Sequence, residues 1–203
     1  MESIGILCRG QSLERLPKVV GEFDKCFIVN DWRVESLIFE DFIKNKNIKH
    51  FMNADRRSYL GRKLYRMLGI TEGVIGWTKL HEEKGKTSRG KNTVKAAMNK
   101  YSKELKMSYL PNDYFLACNY LNNTSLICLT YVARELRPSI VWIIGMDFYS
   151  GDYLVRRRGT FRPLDTNKME ADFKAITLLY YDTTFKLVTN YDKILGHQNL
   201  EVL

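Results

Sequence analysis

The sequence has few cysteines, no long apolar run and none of the common cofactor-binding motifs, and each absence disfavours a class of protein. It has only four cysteines, Cys8, Cys26, Cys118 and Cys128, and all four lie inside apolar stretches. None are spaced as C-x-x-C, and no histidine-rich cluster accompanies them. This usage favours buried free thiols in a reducing compartment over disulfides or a zinc site. We therefore expect a cytoplasmic protein.

Targeting and cofactor motifs are also missing. No apolar run approaches the roughly 20 residues of a membrane helix, and the N-terminus MESIGILCRG lacks the basic start of a signal peptide. The chain has no G-x-x-x-x-G-K-[ST] loop and no H-E-x-x-H or D-x-D motif. Its first turn, C-R-G-Q-S-L, is not G-x-G-x-x-G, which disfavours a nicotinamide or flavin cofactor. We expect neither a cofactor nor a metal.

Hydrophobic residues and positive charge are abundant. Hydrophobic residues make up 45% of the 203 positions, enough for a core, and the length predicts one domain spanning residues 1–203. The net charge of +9 suits a phosphate-bearing partner. Nucleic acid is a weak alternative, because no nucleic-acid-binding motif accompanies the charge. A homo-oligomer is left open.

Apolar runs alternate with helical segments along the chain. The pattern predicts strands at 3–8, 25–30, 48–53, 73–78, 139–145 and 185–189. Helices are predicted at 12–20, 33–43, 56–68 and 168–181, with two more between 112 and 136. Ser12 is the expected cap of the first helix, and Thr124 or Ser125 of the later one. Such alternation predicts an α/β, Rossmann-like fold: a mostly parallel sheet, helices on both faces and a basic lid-like insertion.

Two polar segments are candidates for that lid or insertion. Residues 84–106 hold eight Lys or Arg and one Glu, and are predicted to be a loop leading into an exposed helix. Residues 150–165 contain Arg156, Arg157 and Arg158, a cluster that suits an anionic ligand. For both segments a solvated surface is the alternative.

Ligands of open parallel sheets bind outside the carboxyl ends of the strands. Here the residues at those positions include Arg9, Gly10 and Ser12 after the first strand and Asp147 and Tyr149 after the fifth. Asn30 and Asn53 end the second and third strands. An asparagine offers a donor and an acceptor, which suits sugar hydroxyls and base edges, although it also suits turns. The first turn offers main-chain amides for a phosphate.

Five segments together resemble a known family. They are G-I-L-C-R-G-Q-S-L at 5–13, F-I-V-N at 27–30, H-F-M-N at 50–53, N-T-S-L at 123–126 and I-I-G-M-D-F-Y at 143–149. Their order and spacing resemble the bacterial CMP-sialic-acid-dependent sialyltransferases of glycosyltransferase family 42, or a related Rossmann-like family. G-M-D-F-Y is the most specific piece, and the likeness is thin between 56 and 110.

The resemblance implies an inverting, metal-independent transfer from a CMP-linked or similar nucleotide-activated sugar to a glycan acceptor. It implies that Asn30 and Asn53 hold the nucleotide and that Thr124 and Ser125 contact the donor. It also implies that two tyrosines stabilise the leaving phosphate. The first matches Tyr149, and Tyr153 is the candidate for the second. Two phenolic donors would stabilise charge that grows in the transition state.

The chain departs from the family at two places. Arg9 and Gln11 replace the Asn and Pro of the family's first turn, and Arg9 either adds a phosphate contact or obstructs the donor. The family's general-base histidine is matched by Asn167, which is no base at neutral pH, and Asp165 is a substitute. Alternatives are therefore a nucleotide-binding protein without transferase activity, or a nucleotide-dependent pyrophosphoryl transferase or hydrolase on the same scaffold.

Overall fold

The fold is an eight-stranded parallel sheet with helices around it, which confirms the predicted α/β, Rossmann-like class. A computed structural model of the chain describes residues 2–53, 58–84, 88–121, 123–148 and 165–203. The strands are β1 Ser3–Leu7, β2 Lys25–Val29, β3 Asn47–Met52, β4 Glu72–Thr78, β5 Lys106–Leu110, β6 Ile140–Ile144, β7 Thr184–Val188 and β8 Leu200–Val202. Their order in the sheet is β5-β4-β3-β2-β1-β6-β7-β8.

Eight α-helices lie between these strands in the described residues. They are α1 Leu16–Val19, α2 Glu35–Ile43, α3 Arg62–Met67, α4 Lys79–Lys84, α5 Ser88–Tyr101, α6 Phe115–Leu121, α7 Thr124–Tyr131 and α8 Thr166–Leu179. Short 3₁₀ turns flank α1, at Gln11–Arg15 and Val20–Glu22, and α7 continues as one π-helical turn, Val132–Leu136.

The chain divides into two compact units, each of which has buried strands. The first comprises Met1–Phe27 with Leu129–Leu203, and the second comprises Ile28–Cys128. In the first, β6 pairs with β1 on one side and β7 on the other, and four of its five residues are buried. The apolar run predicted as a strand at 139–145 thus forms an interior strand. In the second, β4 lies between β3 and β5.

Two strands that the sequence pattern missed are the outermost ones. β5 alternates exposed or half-buried residues and buries only Leu110, and β8 has three residues. Edge strands are short and carry polar residues, so they give a weak hydrophobic signal. The segment 84–106 is mainly α5, whose Val94, Ala97 and Tyr101 are buried on one helical face. The four cysteines are buried free thiols.

Candidate functional site

The strand order places a topological switch between β1 and β6, inside the first unit. The chain runs outward in one direction from β1 to β5, and in the other from β6 to β8. Loops that follow the two strands at such a switch diverge and leave a crevice at their carboxyl ends. Here those loops contribute Arg9 and Gly10 after β1, and Gly145 and Asp147 after β6. Three of these four residues, Arg9, Gly10 and Asp147, are among the candidates expected from the sequence.

The two loops make close backbone contact where they leave the sheet. The amide of Cys8 donates to the carbonyl of Ile144 at 2.7 Å, and that of Gly10 donates to the carbonyl of Gly145 at 2.7 Å. A Cβ atom on Gly10 would lie 2.5 Å from Asp147 Oδ2. Gly145 has φ +79°, and a Cβ there would meet the Cys8 backbone at 3.0 Å. Both positions therefore require glycine.

Asp147 is the centre of the hydrogen bonds at this switch. Its Oδ2 accepts from the amide of Ser12 at 2.8 Å, and its Oδ1 lies 2.5 Å from the Ser12 hydroxyl. Oδ1 also accepts from the Thr189 hydroxyl and the Asn190 amide, both at 3.1 Å. The carboxylate is 6% exposed. It thus holds the 3₁₀ turn Gln11–Arg15 to the end of β7.

This arrangement changes what the first turn offers to a ligand. Ser12 lies inside the 3₁₀ turn and Gly10 is the N-cap residue, so the prediction of Ser12 as the cap was wrong. The Ser12 amide, one of the donors expected for a phosphate, is taken by the chain's own carboxylate. A phosphate bound at that amide would lie against this negative charge.

The G-M-D-F segment has a local structure that orients Asp147. Phe148 follows it in the left-handed region, with φ +49°. The Phe148 ring is buried against Phe173 and Tyr191, with centroids 5.3 and 5.1 Å away. Anchoring this ring on one side of the turn keeps the Asp147 side chain directed at Ser12.

In the second unit, the structure brings Asn30 and Asn53 together at the ends of β2 and β3. Asn30 Oδ1 accepts from the amide of Asn53 at 3.1 Å. Asn53 Oδ1 in turn accepts from the indole nitrogen of Trp77 at 2.7 Å. Trp77 lies where the pairing of β4 with β5 shifts register between Ile75 and Thr78, and such irregularities re-aim side chains.

The buried side chain of His50 contacts the backbone of Asn30. His50 Nε2 lies 2.5 Å from the main-chain oxygen of Asn30, and Nδ1 lies 3.1 Å from the Tyr65 hydroxyl. Burial lowers the pKa of His50 to about 4, so the ring is neutral and Nε2 donates. The same desolvation raises the pKa of Tyr65, whose hydroxyl donates to Nδ1.

The start of α7 differs from the prediction. Asn123, and neither Thr124 nor Ser125, caps the helix: its Oδ1 accepts from the amides of Ser125 at 2.9 Å and Leu126 at 3.1 Å. Asn123 is 7% exposed, whereas Thr124 and Ser125 are half-buried. Their hydroxyls make no hydrogen bond within the described part of the chain.

Asp165 is the N-cap of α8. Its Oδ1 accepts from the amides of Asn167 at 3.0 Å and Lys168 at 3.2 Å, and the residue is exposed. Its other carboxylate oxygen makes no hydrogen bond to any described residue. The carboxylate is therefore a capping group with one oxygen open to solvent.

Each of the three histidines has a protein partner. His50 is fully buried in the contacts above, and His81 is 5% exposed, with Nδ1 2.9 Å from the Thr78 hydroxyl. His197 Nε2 lies 2.9 Å from the hydroxyl of Thr177. Each histidine thus makes a structural contact within its own unit.

Four of the site residues expected from the sequence, Tyr149, Tyr153, Arg156 and Arg157, lie outside the described residues. Arg9 is half-buried beside Gly10. Three residues that shape these clusters, His50, Trp77 and Thr189, were not chosen from the sequence. Thr189 and Trp77 stand after or near the end of a predicted strand, which is the signal that could have identified them.

Comparison with known proteins gives no assignment: no family model matches the chain, and no curated protein matches its sequence. In the part of the chain that the structure describes, no helix is long and apolar enough to cross a membrane. Nor do the described His, Cys, Asp and Glu residues form a group of three that could hold a metal ion.

Proposed function

We propose that the chain binds a nucleotide-activated sugar, with a CMP-sugar favoured, and acts as a sialyltransferase-like glycosyltransferase. The observation that carries the binding half of this proposal is the bonded set Asn30, Asn53 and Trp77 in the second unit. The resemblance of the five sequence segments supports the cytidine preference and the transfer reaction.

Hydrogen bonding fixes which way the Asn30 amide faces. Its Oδ1 accepts from Asn53, so its NH₂ group points away from that bond as a donor. Among the described residues, this NH₂ group has no partner. The half-buried indole of Trp77 is bonded to the neighbouring asparagine. An amide donor and an indole in one bonded set suit a pyrimidine, whose O2 and N3 accept hydrogen bonds and whose ring can stack on an aromatic side chain.

The backbone of Asn30 is also unusual. Its φ of +62° lies in the left-handed region, where non-glycine residues are uncommon. His50 and the carbonyl of Phe51, which accepts from the Asn30 amide at 2.8 Å, hold it there. Strain that is held in place in this way clusters at ligand sites.

A second candidate function is nucleotide binding without transfer. It is favoured by the surroundings of the three histidines, each of which is buried or bonded within its own unit. It is also favoured by Asp165, whose Oδ1 already accepts two main-chain amides. Under this alternative the asparagine set holds the nucleotide, and no group takes the acceptor's proton.

One screen separates the two candidates. Thermal shifts with CMP, CDP, UDP, ADP and GDP report the base preference, since a ligand at about 100 times its Kd stabilises by about 2.7 kcal/mol. We expect the largest shift with CMP. Release of CMP from CMP-sialic acid then identifies the transferase, and binding without release identifies the alternative. A chain that none of the five nucleotides stabilises contradicts both.

The Asn30→Gly variant tests the site itself. Glycine tolerates the left-handed backbone, so the fold is retained while the amide donor is lost. We expect CMP binding to weaken by about 1–3 kcal/mol. Asn45→Gly, at an exposed turn position, is the matched control and should bind normally. Equal CMP affinity in the two variants would contradict the role of Asn30.

A further inference from the structure

A basic cavity lies in the second unit, away from the asparagine set. Its volume is about 410 Å³, and it is lined by side chains of α3 together with residues that precede β4 and β5. The charged side chains of its wall are Arg62, Arg66, Lys103 and Glu104. The strands are parallel, so this is the amino end of β4, whereas Trp77 lies at its carboxyl end. Seven strand residues, about 20 Å, separate the two ends.

The charges of the cavity do not cancel. Glu104 is paired with Arg62, with Oε2 3.2 Å from Nε. Arg66 and Lys103 have no acidic partner in the described part of the chain. Among the described residues the wall therefore carries three cations against one carboxylate, a surplus of two positive charges. Arg62, Arg66 and Lys103 are all exposed, so this positive charge is accessible to a ligand from solvent.

We propose that this cavity binds a small molecule bearing a phosphate monoester. A phosphate monoester carries close to two negative charges at neutral pH, which matches the surplus of the wall. The guanidinium of an arginine can donate two parallel hydrogen bonds to two oxygens of a phosphate, and the lysine adds a further positive charge. The exposed hydroxyl of Thr71, on the same wall, adds a donor.

The dimensions of the cavity set the class of ligand. Sites for small molecules are typically about 300–1,000 Å³, so 410 Å³ holds a phosphate together with an organic group. The non-charged wall includes Gly69 and Thr71, which are exposed, whereas Ile70 and Tyr65 are buried behind it. A nucleic-acid backbone would instead need cations spread along a stripe. The cations here converge on one hollow, which favours the small ligand.

The test is a titration of the full chain followed by amide NMR, with inorganic phosphate and glycerol 3-phosphate as probes and glycerol as the neutral control. We expect saturable shifts for the amides of Arg66, Thr71 and Lys103, tighter for glycerol 3-phosphate than for phosphate. Glycerol should leave them unmoved. No saturable shift at these amides overturns the proposal.

Variants that remove one positive charge distinguish binding in the cavity from non-specific electrostatic attraction of the anion to the protein. Arg66→Gln and Lys103→Gln should each weaken binding about tenfold or more. Lys63→Gln removes the same charge from an exposed position of α3 outside the cavity wall, and should change binding less than about twofold.

Glu104→Gln is an independent test, because it removes the acid found among the described residues of the wall and should tighten binding several-fold. Equal weakening in Lys63→Gln and Arg66→Gln would show only diffuse attraction and overturn the proposal. Binding of an RNA oligonucleotide without binding of glycerol 3-phosphate would overturn it as well. Asn30→Gly should bind glycerol 3-phosphate normally, so that failure here and failure of the nucleotide proposal are distinguishable.

Discussion

His50 Nε2 lies 2.5 Å from the main-chain oxygen of Asn30, and this contact joins a fully buried ring to a residue in the left-handed region. The other ring nitrogen accepts from Tyr65, so both nitrogens of the neutral ring are satisfied. A proton on Nδ1 would remove the acceptor to which Tyr65 donates, and burial disfavours the charged ring. The backbone at Asn30 is therefore held by a histidine that must stay neutral.

This contact predicts a pH dependence of stability. The pKa of His50 is lowered from 6.5 to about 4 in the folded chain, so the unfolded chain takes up the proton first as pH falls. The stabilisation is complete above about pH 6.5 and is lost progressively as the pH falls towards about 4. We expect His50 to account for a loss of about 2 kcal/mol between about pH 7 and pH 5. Urea unfolding at the two pH values measures it.

The His50→Gln variant is the control for that measurement. Glutamine keeps an N–H donor for the Asn30 oxygen but does not titrate. The variant should be less stable than the wild type at neutral pH and should lose less stability on acidification. If both proteins lose the same free energy between the two pH values, His50 is not the group responsible.

Asp147 offers a second prediction, because its carboxylate joins three segments of the first unit. In Asp147→Asn one oxygen acceptor becomes an NH₂ donor that faces other donors, either at Ser12 or at Asn190. We expect a loss of about 3 kcal/mol in urea unfolding. Asp182→Asn, at an exposed position, should stay within about 0.5 kcal/mol of the wild type. Full stability with lost nucleotide binding would instead make Asp147 a ligand group.

Gly10, at the crowded first turn, and Gly21, at an open position, provide a matched pair of Gly→Ala variants. A Cβ on Gly10 would lie 2.5 Å from Asp147 Oδ2 and 2.8 Å from the Gly145 carbonyl, so Gly10→Ala must push this contact apart. We expect it to cost about 1–3 kcal/mol. Gly21→Ala meets nothing within 4 Å and should be neutral or stabilise by about 0.5 kcal/mol. Thermal unfolding of both compares them, and a Gly10→Ala protein as stable as Gly21→Ala would contradict the crowding at this turn.

The sequence was most informative where strands are interior. The runs at 3–8, 25–30 and 139–145 each became a strand within one residue at each end, because buried parallel strands read as continuous apolar runs. The edge strands β5 and β8 were missed since one face of an edge strand meets water and its pattern is diluted. The start of α7 was misplaced by one residue, because Asn123, Thr124 and Ser125 are all good caps.

The roles of individual site residues were harder to predict. Asn30 and Asn53 follow strands β2 and β3, and one hydrogen bond joins them. That Asp147 would bond to Ser12 depends on contacts 135 positions apart in the chain, which no local pattern encodes. The contact between His50 and the main-chain oxygen of Asn30 was equally unpredictable. The sequence does not show which nitrogen of a histidine bonds to which oxygen.

The two carboxylate oxygens of Asp165 differ in their hydrogen bonds. Oδ1 caps α8, whereas the other oxygen makes no hydrogen bond within the described residues. Asparagine caps a helix as well as aspartate does, so Asp165→Asn should unfold like the wild type, and Asp165→Ala should lose about 1 kcal/mol.

The same variants test the catalytic half of the proposed function. Asp165→Asn removes a proton acceptor without removing the cap, so in a transferase that uses this carboxylate as general base, turnover of CMP-sialic acid should fall by about 10²–10⁴-fold. Asn167→Ala is the control, since Asn167 contributes its main-chain amide to the cap and its side chain is exposed. Turnover of Asp165→Asn equal to that of the wild type would show that another residue acts as the general base. A wild-type protein that binds CMP and releases none from CMP-sialic acid would leave the cap as the role of Asp165, and nucleotide binding without transfer as the function.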